Sequence, residues 1–143
     1  SYEGLTHRRT VWFIDRRFFV IADEAFGTAE GEVALHYNLV ECDPAEDFAA
    51  CSAATRFGDG NDLLLKAFGA ERMERREGWV SRTYRQRTER PAYAFTVRKR
   101  AGEPVRLVTV LLPAADAAAQ RVEAAWRGDR LQVKIDGKRY NLK

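Results

Sequence analysis

Apolar and polar residues alternate with a period of two along most of this chain, and this alternation restricts the fold more than any other feature. Residues 32–40 show it most clearly, with Val33, Leu35, Tyr37 and Leu39 at every second position. Because successive side chains of a β-strand point to opposite faces, these four side chains share one face. The segment is therefore predicted to be a half-buried strand with one face in a core and the other in water.

Turn sequences between the alternating segments predict hairpins. Residues 10–14 and 18–22 are β-branched and aromatic runs on either side of Asp15-Arg16-Arg17, which is the pattern of a hairpin with a three-residue loop. Both faces of these two strands are apolar, so we expect them in a central position that is covered on both sides. Asp136-Gly137 is the strongest two-residue hairpin signal in the chain.

The other predicted strands are short and follow one another at hairpin spacing. They comprise residues 32–40, 52–57, 62–68, 93–98, 105–112 (ended by Pro113), 121–126, 131–135 and 138–142. About ten such strands without a convincing amphipathic helix predict an all-β fold, an antiparallel β-sandwich. The absence of a linker or a repeat indicates a single domain over residues 1–143.

Three segments lack a clear strand pattern. Residues 41–50, which include Pro44, are predicted to be a loop, and residues 71–91 are the least regular part of the chain. Residues 114–119 form either a short helix or a compact loop, and the pattern leaves both open.

Composition and charge limit the partners. The 24 basic and 21 acidic residues leave a net charge of +3, which is too small to indicate nucleic acid on its own. No apolar run approaches the roughly 20 residues that a membrane span needs, and the first residues lack the pattern of a signal peptide. The first residue, Ser1, is expected to be a processing or cloning boundary. Cys42 and Cys51 allow one disulfide at most, and its formation depends on the redox compartment.

The sequence contains no complete catalytic or metal-binding motif. His7, Asp23 and His36 could approach one another from neighbouring strands, but their spacing matches no local metal-ligand motif. We therefore expect His7 to open a strand and His36 to lie on the polar face of another, with no metal site and no cofactor in this segment. Gly-x-Ser-x-Gly is absent, and Gly58-x-Gly60 is interpreted as part of a turn. No catalytic residue is predicted.

An arginine-rich segment is the one part of the chain with a functional character. Seven arginines lie within residues 72–90: Arg72, Arg75, Arg76, Arg82, Arg85, Arg87 and Arg90. Arg82 and Arg85 could pair with the anionic groups of an acidic polysaccharide, and Trp79 and Tyr84 could stack on its sugar rings. Alternatively, the interleaved glutamates mark a solvated edge strand whose charges prevent edge-to-edge pairing.

The first strands and turns also resemble a known family. Residues 2–15, which contain His7-Arg8-Arg9 and a strand ending in Asp15, resemble a segment of the heparinase II/III family of polysaccharide lyases. The family pattern continues with a second apolar strand ending in Asp23, then Gly27, then a strand with His36 near its end. Including residues 78–81 and 111–113, the likeness extends from about residue 2 to residue 113.

The resemblance implies that this chain is the C-terminal all-β region of a larger enzyme. Such lyases join an N-terminal α-helical toroid to a β region and cleave uronic-acid-containing polysaccharides of the glycosaminoglycan type by β-elimination. The family's catalytic and metal residues are expected in the part that precedes this segment, so no such role is transferred to His7, Asp23 or His36. This segment alone is expected to be inactive, and the family implies a periplasmic or secreted location.

Three hypotheses of function remain. The first is a structural domain that packs against the toroid and supports the substrate cleft. The second is a stand-alone carbohydrate-binding module in which Trp79, Arg82, Tyr84 and Arg85 bind an acidic glycan. The third, a nucleic-acid-binding β-domain, ranks last because the charge is so nearly balanced. Neither nucleic acid nor a membrane is expected as a partner.

Overall fold

A computed structural model describes residues 3–80 and 88–143 of the chain; for residues 77–80 and 88–89 only the backbone is described. The described residues form twelve β-strands and one short 3-10 helix at Ala117–Ala119. The strands are β1 Thr6–Ile14, β2 Phe18–Phe26, β3 Gly31–Asn38, β4 Ala45–Asp47, β5 Ser52–Ala54, β6 Asp62–Phe68, β7 Arg72–Val80, β8 Thr88–Lys99, β9 Val105–Ala114, β10 Val122–Arg127, β11 Arg130–Ile135 and β12 Lys138–Leu142. No helix in the described part of the chain is long and apolar enough to cross a membrane.

The strands form three antiparallel sheets. A central sheet has the order β1-β2-β9-β6-β5-β4, a first outer sheet has the order β3-β8-β7, and a second outer sheet is the meander β10-β11-β12. Every pairing is antiparallel, which confirms the predicted all-β antiparallel sandwich.

Each face of the central sheet packs against one outer sheet. On one face, Val20 and Val110 belong to a buried cluster with Val133 of the second outer sheet. On the other face, Leu65 packs with Phe95 of the first outer sheet. Because side chains alternate along each central strand, the same strands supply both cores. The result is a sandwich of three layers.

The first hairpin confirms the predicted three-residue loop, but its strands extend farther than predicted. Residues 15–17 connect β1 to β2, and Asp15 and Arg16 have positive φ angles of 54° and 52°. The predicted central position is wrong for β1, which lies at the edge of its sheet with Val11 53% and Phe13 56% exposed. The first outer sheet has only three strands, and its core contacts are centred on β9 and β6 rather than on β1.

Two of the segments predicted without strands contain them. Residues 45–47 form β4, where a loop was predicted, and this short strand pairs with β5. Residues 71–91 were predicted to be irregular, but they contain β7 and the start of β8. The strand β7 has few apolar residues because it is an edge strand paired only with β8, so charged side chains replace the apolar alternation.

Three smaller features of the fold bear on the predicted elements. The strand β9 continues through Pro113 to Ala114, so Pro113 does not end it. The 3-10 helix at Ala117–Ala119 resolves the alternative that the sequence left open for residues 114–119 in favour of a short helix. The predicted strands at residues 52–57 and 62–68 pair with each other as β5 and β6, although β5 is shorter than expected.

Candidate functional site

The main polar cluster of the described residues is built on the first hairpin. The register of β1 and β2 places Arg9 directly opposite Asp23, and His7 is on the same face of β1. The Asp23 Oδ1 atom lies 2.7 Å from His7 Nε2 and accepts a hydrogen bond of 2.7 Å from Arg9 Nε. Its Oδ2 atom accepts a second bond from Arg9 at 3.3 Å. One buried carboxylate therefore holds two cationic or imidazole side chains in place.

Burial differs sharply within this cluster. The Asp23 side chain is only 3% exposed, whereas His7 is 52% exposed. The hydrogen bond from Arg9 to Asp23 raises the pKa of the Arg9 guanidinium. Burial raises the pKa of the neighbouring Tyr37 hydroxyl, and the charge of Asp23 acts in the same direction. A small cavity of about 160 Å³ adjoins His7 and Asp23, with walls that are mainly aliphatic.

A second carboxylate, Glu24, faces the opposite side of the same sheet. It accepts hydrogen bonds from Arg8 at 3.0 Å and from Arg106 on β9 at 3.1 Å. The Arg106 guanidinium also lies over the Trp126 ring, 4.4 Å from its centroid. Successive residues of β1 and β2 thus form two ion-pair clusters, one on each face of the central sheet.

The chemistry open to the Asp23 cluster is mainly electrostatic. Both carboxylate oxygens already accept hydrogen bonds, so Asp23 orients the His7 ring and neutralises Arg9. His36 does not join them: it is exposed, while its neighbour Leu35 faces the core. Among the described residues, no group of three or more His, Cys, Asp or Glu side chains is placed to hold a metal ion.

The residues predicted to bind polysaccharide fall mostly outside the described part of the chain. Trp79 belongs to β7, where only its backbone is described, opposite Glu89 of β8. Arg82, Tyr84 and Arg85 lie outside the described residues. Their contact with a polysaccharide therefore stays a prediction.

The described arginines of the same segment support the alternative of a solvated edge strand. Arg72 forms ion pairs with Glu32 and Glu74, and Arg75 forms one with Glu46. These arginines are thus neutralised by glutamates on β7 itself, on β3 and on β4 of the central sheet.

The two cysteines are free thiols in the structure. Cys51 is buried, and Cys42 is half-buried. Burial raises the pKa of both thiols, with a smaller contribution in the same direction from Asp43 at Cys42 and from Asp47 at Cys51. A raised pKa lowers the thiolate fraction, and with it the reactivity, at neutral pH.

Sequence analysis missed Arg9 and the Arg8–Glu24–Arg106 cluster, although the sequence carried a signal for the first. A hairpin with a loop at residues 15–17 pairs residue 14 with residue 18, so the same register places Arg9 opposite Asp23. The contact of Arg106 with Glu24 could not be predicted from a hairpin register, because the two residues lie 82 positions apart along the chain.

The chain is similar to a family of polysaccharide-degrading enzymes along most of its length. Residues 1–125 match the family model described as "Heparinase II/III-like, C-terminal". The chain is 34% identical to a heparin-sulfate lyase of Bacteroides stercoris over 152 aligned residues, which cover 99% of this chain and 23% of that protein. It is 33% identical to the heparin-sulfate lyase of Pedobacter heparinus over 79% of this chain and 18% of that protein.

Solved structures agree with the sequence matches. A heparinase III structure superimposes with a TM-score of 0.91 and 35% identity, covering 99% of this chain and 24% of its own. The heparan sulfate lyase HepC from Pedobacter heparinus superimposes with a TM-score of 0.89 and 27% identity, with the same coverage of 99% and 24%. The chain thus spans about a quarter of the length of these relatives. With 125 residues matched by the family model, the chain belongs to the heparinase II/III-like C-terminal family.

Proposed function

We propose that this chain is the C-terminal β-domain of a longer lyase that cleaves a heparan-sulfate-type polysaccharide by β-elimination. In this proposal the domain packs against an N-terminal α-helical toroid of the same polypeptide and supports the substrate cleft. The printed names of the relatives, heparin-sulfate lyase and heparinase III, support the substrate class. Their length supports the domain arrangement, since about three quarters of each relative lies outside the match.

An apolar strip on the first hairpin carries the proposed packing role. Val11, Phe13 and Phe19 are 53%, 56% and 41% exposed. The rings of Phe13 and Phe19 stack at 4.6 Å between centroids, with 20° between their planes. They form an apolar surface that the first outer sheet leaves uncovered. Contiguous apolar surface of this kind marks a protein contact more often than an isolated exposed residue does.

The catalytic chemistry belongs, in this proposal, to the N-terminal region. β-Elimination needs a base for the proton beside the uronate carboxylate, neutralisation of that carboxylate, and an acid for the leaving oxygen. In the described residues the best-placed carboxylate, Asp23, already accepts hydrogen bonds at both oxygens. The domain then contributes position and support, and a periplasmic or secreted location would give the enzyme access to an extracellular polymer.

The experiment compares two double variants in the full-length protein that contains this chain. Phe13→Ser with Phe19→Ser removes the apolar strip, and Phe48→Ser with Phe57→Ser removes two other phenylalanines that are 44% and 49% exposed. We expect limited proteolysis to separate the strip variant into two fragments, with loss of unsaturated uronide product from heparan sulfate. The control variant should remain intact and active.

Three results would overturn the proposal. They are the absence of a helical region encoded before this chain, equal behaviour of the two double variants, and formation of unsaturated product by the 143-residue chain alone. Thermal unfolding of both variants in the 143-residue chain provides the folding control, because exposed side chains contribute little to its stability.

A further inference from the structure

The basic residues of this chain are unevenly distributed, and the excess lies at its C-terminal end. Residues 121–143 contain seven Lys or Arg and three Asp or Glu, which is a net charge of +4. The whole chain has 24 basic and 21 acidic residues, so residues 1–120 contain 17 and 18 and have a net charge of −1. The net positive charge of the chain therefore comes from this segment, which builds the second outer sheet.

The fold places much of this charge on one solvent-facing surface. In the second outer sheet Val133 and Leu142 face the core, so the alternate residues face water. We call this surface the basic face. Its outward residues are Glu123, Ala125 and Arg127 on β10, Arg130, Gln132 and Lys134 on β11, and Arg139 and Asn141 on β12.

The register brings like charges together in two rows. Arg127 is directly opposite Arg130, and Lys134 is directly opposite Arg139. Like charges at directly opposed positions of a sheet are destabilising. Glu123 lies directly opposite Lys134 on the β10 side, although in the described part of the chain none of the four cations forms an ion pair with a carboxylate. The four cations and this one glutamate leave the face with a net charge of +3. By contrast Arg8, Arg9, Arg56 and Arg72 are all paired with acidic side chains.

Small and polar residues separate the two rows of cations, as a surface that binds an extended polymer requires. Residues 127 and 130 are separated from residues 134 and 139 by about four residues, or about 13 Å along the strands. Ala125, Gln132 and Asn141 lie opposite one another in between. A shallow depression of about 370 Å³ is lined by Ala125 and Gln132 and by the charged side chains of Glu123, Arg127, Lys134 and Arg139. The Gln132 amide donates to Asn141 Oδ1 at 3.1 Å, which leaves the Asn141 amide nitrogen available to donate to a ligand.

We propose that the basic face is a binding surface for a sulfated polysaccharide, separate from the residue set around Trp79. This inference rests on the proposed function for the choice of polyanion. Arginine and lysine bind sulfate and carboxylate through charge-assisted hydrogen bonds, and four cations without a paired carboxylate, on a face of net charge +3, suit a chain that carries repeated anionic groups. No aromatic side chain is among the outward residues, so the face offers no stacking platform of the kind that single-stranded nucleic acid uses.

The location makes this contact independent of the candidate site already described. The second outer sheet covers one face of the central sheet, whereas the Asp23 cluster and the apolar strip lie on the other. A polysaccharide held on the basic face therefore leaves the strip free to pack against a neighbouring domain. The surface would retain a long polymer near the enzyme while a cleft elsewhere acts on it.

The test measures binding of heparan sulfate to two charge-matched variants of the 143-residue chain. One variant has Arg127→Gln, Arg130→Gln, Lys134→Gln and Arg139→Gln; the control has Arg16→Gln, Arg17→Gln, Arg98→Gln and Arg100→Gln, four other exposed arginines. We expect the basic-face variant to bind at least about tenfold more weakly than wild type at moderate salt, with a shallower dependence on salt, because fewer counterions are released. The control should stay within about threefold of wild type.

Every other outcome overturns the inference. Absence of binding by the wild type, or equal weakening by both variants, would show that the basic face is not a specific surface. Stronger binding of single-stranded DNA than of heparan sulfate would reject the proposed ligand class. Far-ultraviolet circular dichroism confirms that both variants are folded. The phenylalanine variants test the proposed function separately, because they leave the basic face unchanged.

Discussion

The Tyr93 hydroxyl donates a 2.6 Å hydrogen bond to Glu46 Oε2, which joins the middle strand of the first outer sheet to the edge of the central sheet. Tyr93 is fully buried, and Glu46 also accepts a hydrogen bond from Arg75 at 3.1 Å. The contact fixes β4, a strand of only three residues, between two layers.

Removing this hydroxyl should destabilise the fold. Tyr93→Phe keeps the ring and loses a hydrogen bond to a charged acceptor, so the free energy of unfolding should fall by about 1.5–3 kcal/mol. Urea denaturation of Tyr93→Phe, Glu46→Gln and the double variant measures the coupling between the two residues. Simple additivity of the two single effects would contradict a direct contact.

The same tyrosine should make stability depend on alkaline pH. Burial, followed by the hydrogen bond to Glu46, raises the pKa of Tyr93 in the folded state. The unfolded chain loses this proton near pH 10, so the contribution of Tyr93 is complete below about pH 10 and declines as the pH rises further. Above about pH 10, the unfolding free energy of the wild type should fall by about 1.4 kcal/mol per pH unit more than that of Tyr93→Phe. Parallel curves would refute this.

The buried carboxylate of Asp23 should contribute more to stability than its exposed partner. Asp23→Asn leaves the Arg9 guanidinium, which is 47% exposed, without its counter-charge, and the loss of charged hydrogen bonds should cost about 1.5–3 kcal/mol. His7→Gln alters a side chain that is 52% exposed, and its cost should stay below about 1 kcal/mol. Chemical denaturation of both variants provides the comparison, and an equal cost would mean that Asp23 does not organise the cluster.

Lys99 should be a structural residue in spite of its charge. It is 1% exposed, and its Nζ donates to the carbonyl oxygens of Gly27, Ala29 and Arg100 at 2.6, 2.9 and 3.1 Å. Lys99→Met removes all three hydrogen bonds, although the carbonyl oxygens of Gly27 and Arg100 keep their bonds from the amides of Gly102 and Glu103. We expect a loss of about 1.5–3 kcal/mol, the range for hydrogen bonds to a charged group. The adjacent Arg98 is exposed, so Arg98→Met should change the unfolding free energy by less than about 0.5 kcal/mol. Thermal unfolding of the two variants distinguishes these cases.

The sequence was sufficient where local pattern controls structure. The period of two at Val33, Leu35 and Tyr37 predicts which face of β3 is half-buried or buried, and Asp136-Gly137 predicts the last hairpin. These features depend on side-chain alternation and turn conformation, both of which are encoded within a few residues.

Features that depend on distant strands were not predictable in the same way. The strand β4 pairs with β5, and Glu46 accepts a hydrogen bond from Tyr93, 47 residues away along the chain. Nothing in residues 41–50 signals that contact. The basic face could not be predicted for a different reason. Its cations are spread singly over three short strands, and only the strand register shows that Arg127 lies opposite Arg130. The arginines that cluster in the sequence lie instead within residues 72–90, where Arg72 and Arg75 are neutralised by glutamates.

Gly69, which joins β6 to β7, should tolerate no side chain because a backbone atom of β9 lies close to it. Gly69 has a φ of +89°, and a Cβ atom there would lie 2.4 Å from the carbonyl oxygen of Arg106 on β9. Gly58, in the turn before β6, has a similar φ of +76° but open space around the position of a Cβ atom. Both substitutions to alanine strain the backbone, and only the first also displaces a neighbouring strand.

The two glycines therefore form a matched pair that separates backbone strain from steric overlap. Gly58→Ala should lower the unfolding free energy by about 1–2 kcal/mol, the cost of a left-handed conformation for an L-residue. Gly69→Ala should cost at least about 2 kcal/mol more, because β9 lies in the interior of the central sheet and Leu107, next to Arg106, is buried. Urea denaturation of both variants gives the difference directly. Equal costs would mean that β9 can move aside at Arg106, and that the junction between β6 and β7 is less rigid than its contacts require.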